Sequence, residues 1–152
     1  MGLPEIAHKT WSPFSIISKL FEHSLSEDPN ECCGMLLGNE NKVTEIFKCK
    51  NIHDTPLTRY TINPLEILEA ENYCDERKLG IVAIYHSHTH SQAYPSITDI
   101  NNAVQSMWTD PYYILVSLTE KTRPIIRAYK IGSDEVEEVI IDHDGKSYIS
   151  PS

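Results

Sequence analysis

Two histidines separated by one residue, a serine after seven intervening residues and an aspartate after two more stand at His86, His88, Ser96 and Asp99. They follow directly on the apolar run Ile81-Val82-Ala83-Ile84-Tyr85, which reads as a buried strand. Side chains alternate along a strand, so His86 and His88 share one face and Ser87 takes the other. Two converging imidazoles and a nearby carboxylate suit a catalytic zinc ion, which takes three protein ligands and leaves a fourth position to water. Asp99 is the expected third ligand. His90 continues the H-x-H pattern, but a fourth protein ligand would close the site to water, so it is expected at the rim or behind the ligands. Ser87 is expected to support the ligands by hydrogen bonding. His8, His23, His53 and His143 are scattered along the chain and are not expected to bind metal.

The stretch HSHTHSQAYPSITD resembles the JAMM, or MPN-plus, signature of zinc metallopeptidases that cleave after ubiquitin-like tails. In that signature a glutamate opens an upstream strand of the form E-x-C-G-x-L-x-G. Glu31-Cys32-Cys33-Gly34-Met35-Leu36-Leu37-Gly38 is similar to it. HSHT followed by AYPS and TD is the wording of the prokaryotic group around the CysO-cysteine peptidase, not the HSHP of many eukaryotic deubiquitinases. The resemblance spans about residues 11–141. It implies zinc on His86, His88 and Asp99, with Glu31 as the general base that passes a proton from water to the leaving amine. It also implies that Ser96 hydrogen-bonds the oxyanion. The implied substrate is a ubiquitin-like or sulfur-carrier protein, hydrolysed after its C-terminal Gly-Gly. The implied fold is a curved mixed sheet between helices, similar to the cytidine deaminases. Read without the resemblance, Ser96-Ile97-Thr98-Asp99 is a capping box that starts a helix. Both roles are expected of Ser96.

The elements that must carry these residues are legible in outline. Ser12-Pro13 reads as a cap and first residue of a helix whose Phe14, Ile17, Leu20, Phe21 and Leu25 recur at helical spacing. A buried strand is expected over 32–37, a turn at Asn39-Glu40-Asn41, and a second strand over 43–47. Alternation would put Val43, Glu45 and Phe47 on one side of it, with Thr44, Ile46 and Lys48 on the other. Residues 49–61 are polar and irregular, and a loop of that length is expected to act as a substrate flap. Asn63-Pro64-Leu65-Glu66 holds a capping Asn, a first-turn proline and a glutamate three residues after the cap, so a second helix starts there and stops near Gly80. A third helix is expected over about 99–107, closed by Asp110-Pro111, then strands over 112–118, 125–131 and 136–141 and a frayed tail from residue 142.

The 152 residues make one α/β domain, a mixed sheet flanked by about three helices, with its core over about 11–141. A formal charge of −9, from 22 acidic and 13 basic residues, argues against a nucleic-acid partner. Cys32, Cys33, Cys49 and Cys74 lack C-x-x-C spacing and read as reduced core thiols. The N-terminus lacks the basic start and apolar core of a signal peptide, and Ile6 stands where a myristoylation motif at Gly2 needs Ser or Thr. A cytoplasmic protein without a membrane span is expected. An amidohydrolase barrel needs about 200 residues or more, and a zinc deaminase needs H-x-E and P-C-x-x-C. The competing functions are a non-catalytic MPN scaffold that binds without a metal and a small-amide hydrolase using the same zinc.

Overall fold

The computed structural model of the chain describes residues 9–11, 14–133, 135–143 and 146–148. The readings at Gly2 and Ser12-Pro13 lie outside those residues. In chain order the elements are β1 (Lys9–Trp11), α1 (Phe14–Glu27), β2 (Cys33–Asn39), β3 (Lys42–Cys49), α2 (Pro64–Arg77), β4 (Gly80–His88), α3 (Ile97–Gln105), β5 (Tyr112–Ser117), β6 (Ile125–Ile131), β7 (Val136–His143) and β8 (Lys146–Ser147). They form the expected single α/β unit, with eight strands in the order β1-β3-β2-β4-β5-β6-β7-β8. β4 and β5 run parallel, which requires a crossover, and α3 lies in that crossover. β1 pairs with β3 and also with β7, so the curved sheet closes on itself.

Closure follows from what each face has to bury. On the inner face Ile16, Ile17 and Leu20 of α1 meet Leu36, Val116, Ile126 and Ile141 from four different strands. On the outer face Ala70 and Cys74 of α2 and Ala103 of α3 cover Met35, Ile84 and Leu115. Both faces of the central strands are thus dry, which is why β5 is buried at every position. Among the described residues no helix is long and apolar enough to cross a membrane.

Several boundaries differ from the sequence reading. Leu37 pairs with Glu45 while Gly38 pairs with Val43, leaving Thr44 as an extra residue. This β-bulge resets the alternation. Val43 consequently joins Ile46 in the inner core, while Phe47 packs outside. β4 runs through His88, so the histidines belong to the strand itself. α2 ends at Arg77, and Lys78, two residues before Gly80, takes the left-handed cap at φ 57°. The chain past Ile141 is not frayed over its described part: Asp142 is buried and pairs with Ser147.

Candidate metal centre and active site

β4 delivers His86 and His88 to the outer face of the sheet, the side covered by α2 and α3, because Ile84, two residues earlier, packs there. Tyr85 and Ser87 point to the other side. Tyr85 donates or accepts with His23 Nδ1 at 2.8 Å and packs against Gly34, where a Cβ would come within 2.5 Å of its ring carbons. The glycine of the Glu31–Gly38 stretch is therefore a matter of close approach. Ser87 Oγ accepts from Cys32 N at 2.8 Å, and Ser87 N donates to Cys32 O at 3.1 Å. Ser87 thus ties the metal strand to the residue after Glu31, and the hydrogen bond to a ligand that the sequence suggested is absent from its described contacts.

The third ligand candidate comes from α3. Ser96 caps this helix: Ser96 Oγ accepts from Asp99 N at 3.0 Å, and Asp99 Oδ2 accepts from Ser96 N at 2.9 Å. The capping box therefore aims the Asp99 carboxylate at the strand end. Asp99 Oδ2 lies 3.2 Å from His86 Nε2 and 3.1 Å from His88 Nε2, and the two nitrogens are 3.1 Å apart. A tetrahedral ion bound at 2.0–2.1 Å would separate its donors by about 3.3 Å. This N, N, O triangle fits a metal ion, and among the described residues it is the one such group. His90 stands outside it, exposed and bonded to Thr89 Oγ1.

The tautomer of His88 and the charge states of His86 and Asp99 suit ligation. His88 Nδ1 donates to the Gln92 carbonyl at 2.7 Å, which leaves Nε2 with its lone pair toward the triangle. Burial holds His86 below its ordinary pKa, in the neutral form a ligand needs. Its Nδ1 is buried without a described partner. Burial would raise the Asp99 carboxyl, but the two histidines outweigh it and hold Asp99 well below the usual carboxylate range. For His88, burial is outweighed by the hydrogen bonds to Asp99 and the Gln92 carbonyl, so its pKa rises.

Glu31 precedes β2 and is 6% exposed. Burial pushes its carboxyl up to about 7; His88 pulls the other way, and Asp99 adds to the rise. Its backbone N donates to Pro56 O at 2.7 Å, which fastens the 49–61 loop beside it. Asn51 closes that loop: Nδ2 donates to Glu31 O and Arg59 O, each at 2.9 Å, while Oδ1 accepts from His53 N and Thr61 N. Tyr60 then stacks on His86, centroids 4.2 Å apart and 22° between planes. It also lines a cavity of about 490 Å³ with Ile62, Ile67, Ile84 and Trp108. Neither Asn51 nor Tyr60 stood out in the sequence, since an irregular loop has no periodicity to single them out. The Gln92 contact is made by a backbone carbonyl, so no residue type could have announced it.

Comparison with known proteins places the chain. Residues 13–132 match the family of prokaryotic homologues of the JAB domain. A probable TtuB-protein conjugate cleaving protease of Thermus thermophilus is 35% identical over 67% of the chain and 66% of its own length. A CysO-cysteine peptidase of Mycobacterium tuberculosis is 31% identical over 81% of the chain and 83% of its own length. The crystal structure of a JAB1/MPN domain protein from Archaeoglobus fulgidus shares the fold at TM-score 0.56 and 16% identity, covering 88% of the chain and 97% of that protein. With a family match over most of its length and a His, His, Asp triangle that could hold a metal at the end of β4, the chain belongs to the prokaryotic JAB family and is a hydrolase of the JAMM/MPN type.

Proposed function

We propose that the protein is a zinc peptidase or isopeptidase that hydrolyses the amide bond after the C-terminal Gly-Gly of a ubiquitin-like or sulfur-carrier protein. The observation that carries this reading is the Nε2, Nε2, Oδ2 triangle with edges of 3.1–3.2 Å beside a buried carboxyl at about 7. The relatives named for TtuB conjugates and for CysO-cysteine support the carrier class. The presence of Glu31, His86, His88, Ser96 and Asp99 together disfavours a metal-free scaffold.

His86, His88 and Asp99 would hold the ion. When bound, it supplies Lewis acidity that makes a water nucleophilic near neutral pH. Glu31 takes the proton from the attacking water and passes it to the departing nitrogen, for which a pKa near the working pH is suited. Ser96 Oγ already accepts from Asp99 N, and its own hydrogen is free to turn toward the oxyanion. Capping and catalysis use different parts of one hydroxyl. Tyr60 and the 49–61 loop shield His86 from water, which strengthens each electrostatic contact inside. Under such a loop, glycines at the cleavage point avoid the obstruction that side chains would present.

The experiment is zinc analysis with hydrolysis of a carrier-Gly-Gly-X fusion by the wild type, Glu31→Gln and His88→Ala. Wild type should hold one zinc and cleave, Glu31→Gln should hold zinc and lose about 10²- to 10⁴-fold in rate, and His88→Ala should lose both. Cleavage of a small amide at equal kcat/KM would favour a general amide hydrolase instead.

A further inference from the structure

A cavity of about 490 Å³ lies one step behind the triangle on both elements that build it. Ile84 on its floor precedes His86 by two residues on the same strand face, about 6.6 Å back along β4. Ala103 on its wall follows Asp99 by four residues, about 6 Å along α3. Tyr60 belongs to both places, since its ring stacks on His86 and also lines the cavity. The far wall is Trp108, fixed through its backbone: Trp108 N donates to Ala103 O at 3.1 Å, and the Trp108 carbonyl accepts from the Tyr113 hydroxyl at 2.5 Å. On the rim Asn102 and Gln105 stand exposed, three residues apart on α3, and among the described residues neither side-chain amide has a hydrogen-bond partner.

Sheet order decides which half of a substrate meets this cavity. Glu31 precedes β2, which flanks β4 on one side, while the cavity floor joins Ile84 to its neighbour Tyr113 of β5 on the other. A leaving nitrogen that faces Glu31 turns the acyl half toward β5 and α3. We propose that the cavity receives an apolar side chain from one of the two residues that precede Gly-Gly, and that Asn102 and Gln105 bond the backbone of that tail. This rests on the hydrolase reading above, in which Glu31 protonates the departing nitrogen. An extended chain advances about 3.3 Å per residue, so the two residues before Gly-Gly stand about 7 to 10 Å from the reacting carbonyl, far enough to pass Tyr60 and reach the space behind it. They are also the first on the acyl side able to fill it, because the glycines carry no side chain. The lining selects their chemistry: Tyr60, Ile67, Ile84 and Trp108 offer a charged group no partner, and a buried charge without one is costly. Each rim amide holds both a donor and an acceptor, which is what a peptide unit of the tail requires.

The test measures kcat/KM on carrier-Gly-Gly-X fusions in which alanine, leucine, phenylalanine or aspartate stands in turn at each of the two positions before Gly-Gly. At one of those positions wild type should prefer leucine or phenylalanine to alanine by about ten- to a hundred-fold, the usual worth of burying such a side chain, and should reject aspartate. Ile67→Trp, which fills the cavity from α2, should bring the leucine-to-alanine ratio to about one, and Ile67→Ala should move the preference from leucine toward phenylalanine. Asn102→Ala should raise KM on every tail alike and leave the ratios unchanged. Zinc content is measured for each variant. A wild type indifferent to the four residues at both positions, or a preference unchanged in both Ile67 variants, would overturn the subsite while leaving the hydrolase reading intact. Hydrolysis of none of the fusions would overturn the hydrolase reading and this inference with it.

Discussion

Glu31 should report its burial in the metal-free protein. Its folded pKa of about 7 lies above the ordinary 4.5, so its contribution favours folding below pH 4.5 and is lost as pH rises through 7. Glu31→Gln cannot ionise, so with chelator present it should gain on the wild type across that window by an amount on the order of 3 kcal/mol. Urea unfolding of both proteins at pH 4.5 and pH 8 measures this; parallel curves would show that Glu31 is not buried as described. Ser96 offers a second test. Ser96→Ala should retain zinc, lose roughly 10²- to 10³-fold in rate from the oxyanion contact, and lose about 1 kcal/mol from the cap. A loss of stability alone would leave only the capping role. The three residues of the triangle were legible because the signal is local: a two-residue step fixes a shared strand face, and a three-residue step fixes a capping box. Tyr60 was not, because its ring meets His86 only through the path of the 49–61 loop.

The elements do unequal work. β4 and the first turn of α3 form the centre, and both were legible from apolar runs and caps, although α3 begins at Ile97 instead of near residue 99 because Ser96 is itself the cap. The bulge at Thr44 was hidden, since it depends on pairing between β2 and β3 and not on either strand alone. The 49–61 loop is held by side-chain bonds, four of them from Asn51. Asn51→Ala should therefore free the loop, leave zinc content unchanged and lower kcat/KM about ten-fold or more, since small misplacements of positioning groups cost rate heavily. Wild-type activity in this variant would mean the loop contributes nothing to turnover. Gly34→Ala, by contrast, should act through the Tyr85 ring and destabilise by roughly 1–3 kcal/mol, read as a shift in the denaturation midpoint.

Across the whole molecule the closed sheet is what lets a chain of 152 residues bury polar chemistry. α1 fills the inside, α2 and α3 cover the outside, and the histidine pair emerges where β4 leaves the sheet toward α3. The mixed sheet was legible from the sequence; its closure was not, because β1 is only three residues long and pairs with strands distant in the chain. The account stands or falls on metal-dependent hydrolysis at that strand end. Its most direct test is the rate of cleavage of a carrier-Gly-Gly-X fusion by protein stripped with chelator and titrated with zinc. Activity should be absent without the ion, return at about one zinc per chain, and fail to return in His88→Ala. Full activity in the stripped protein, or restoration of His88→Ala by zinc, would contradict the assignment of His86, His88 and Asp99 as the catalytic metal centre.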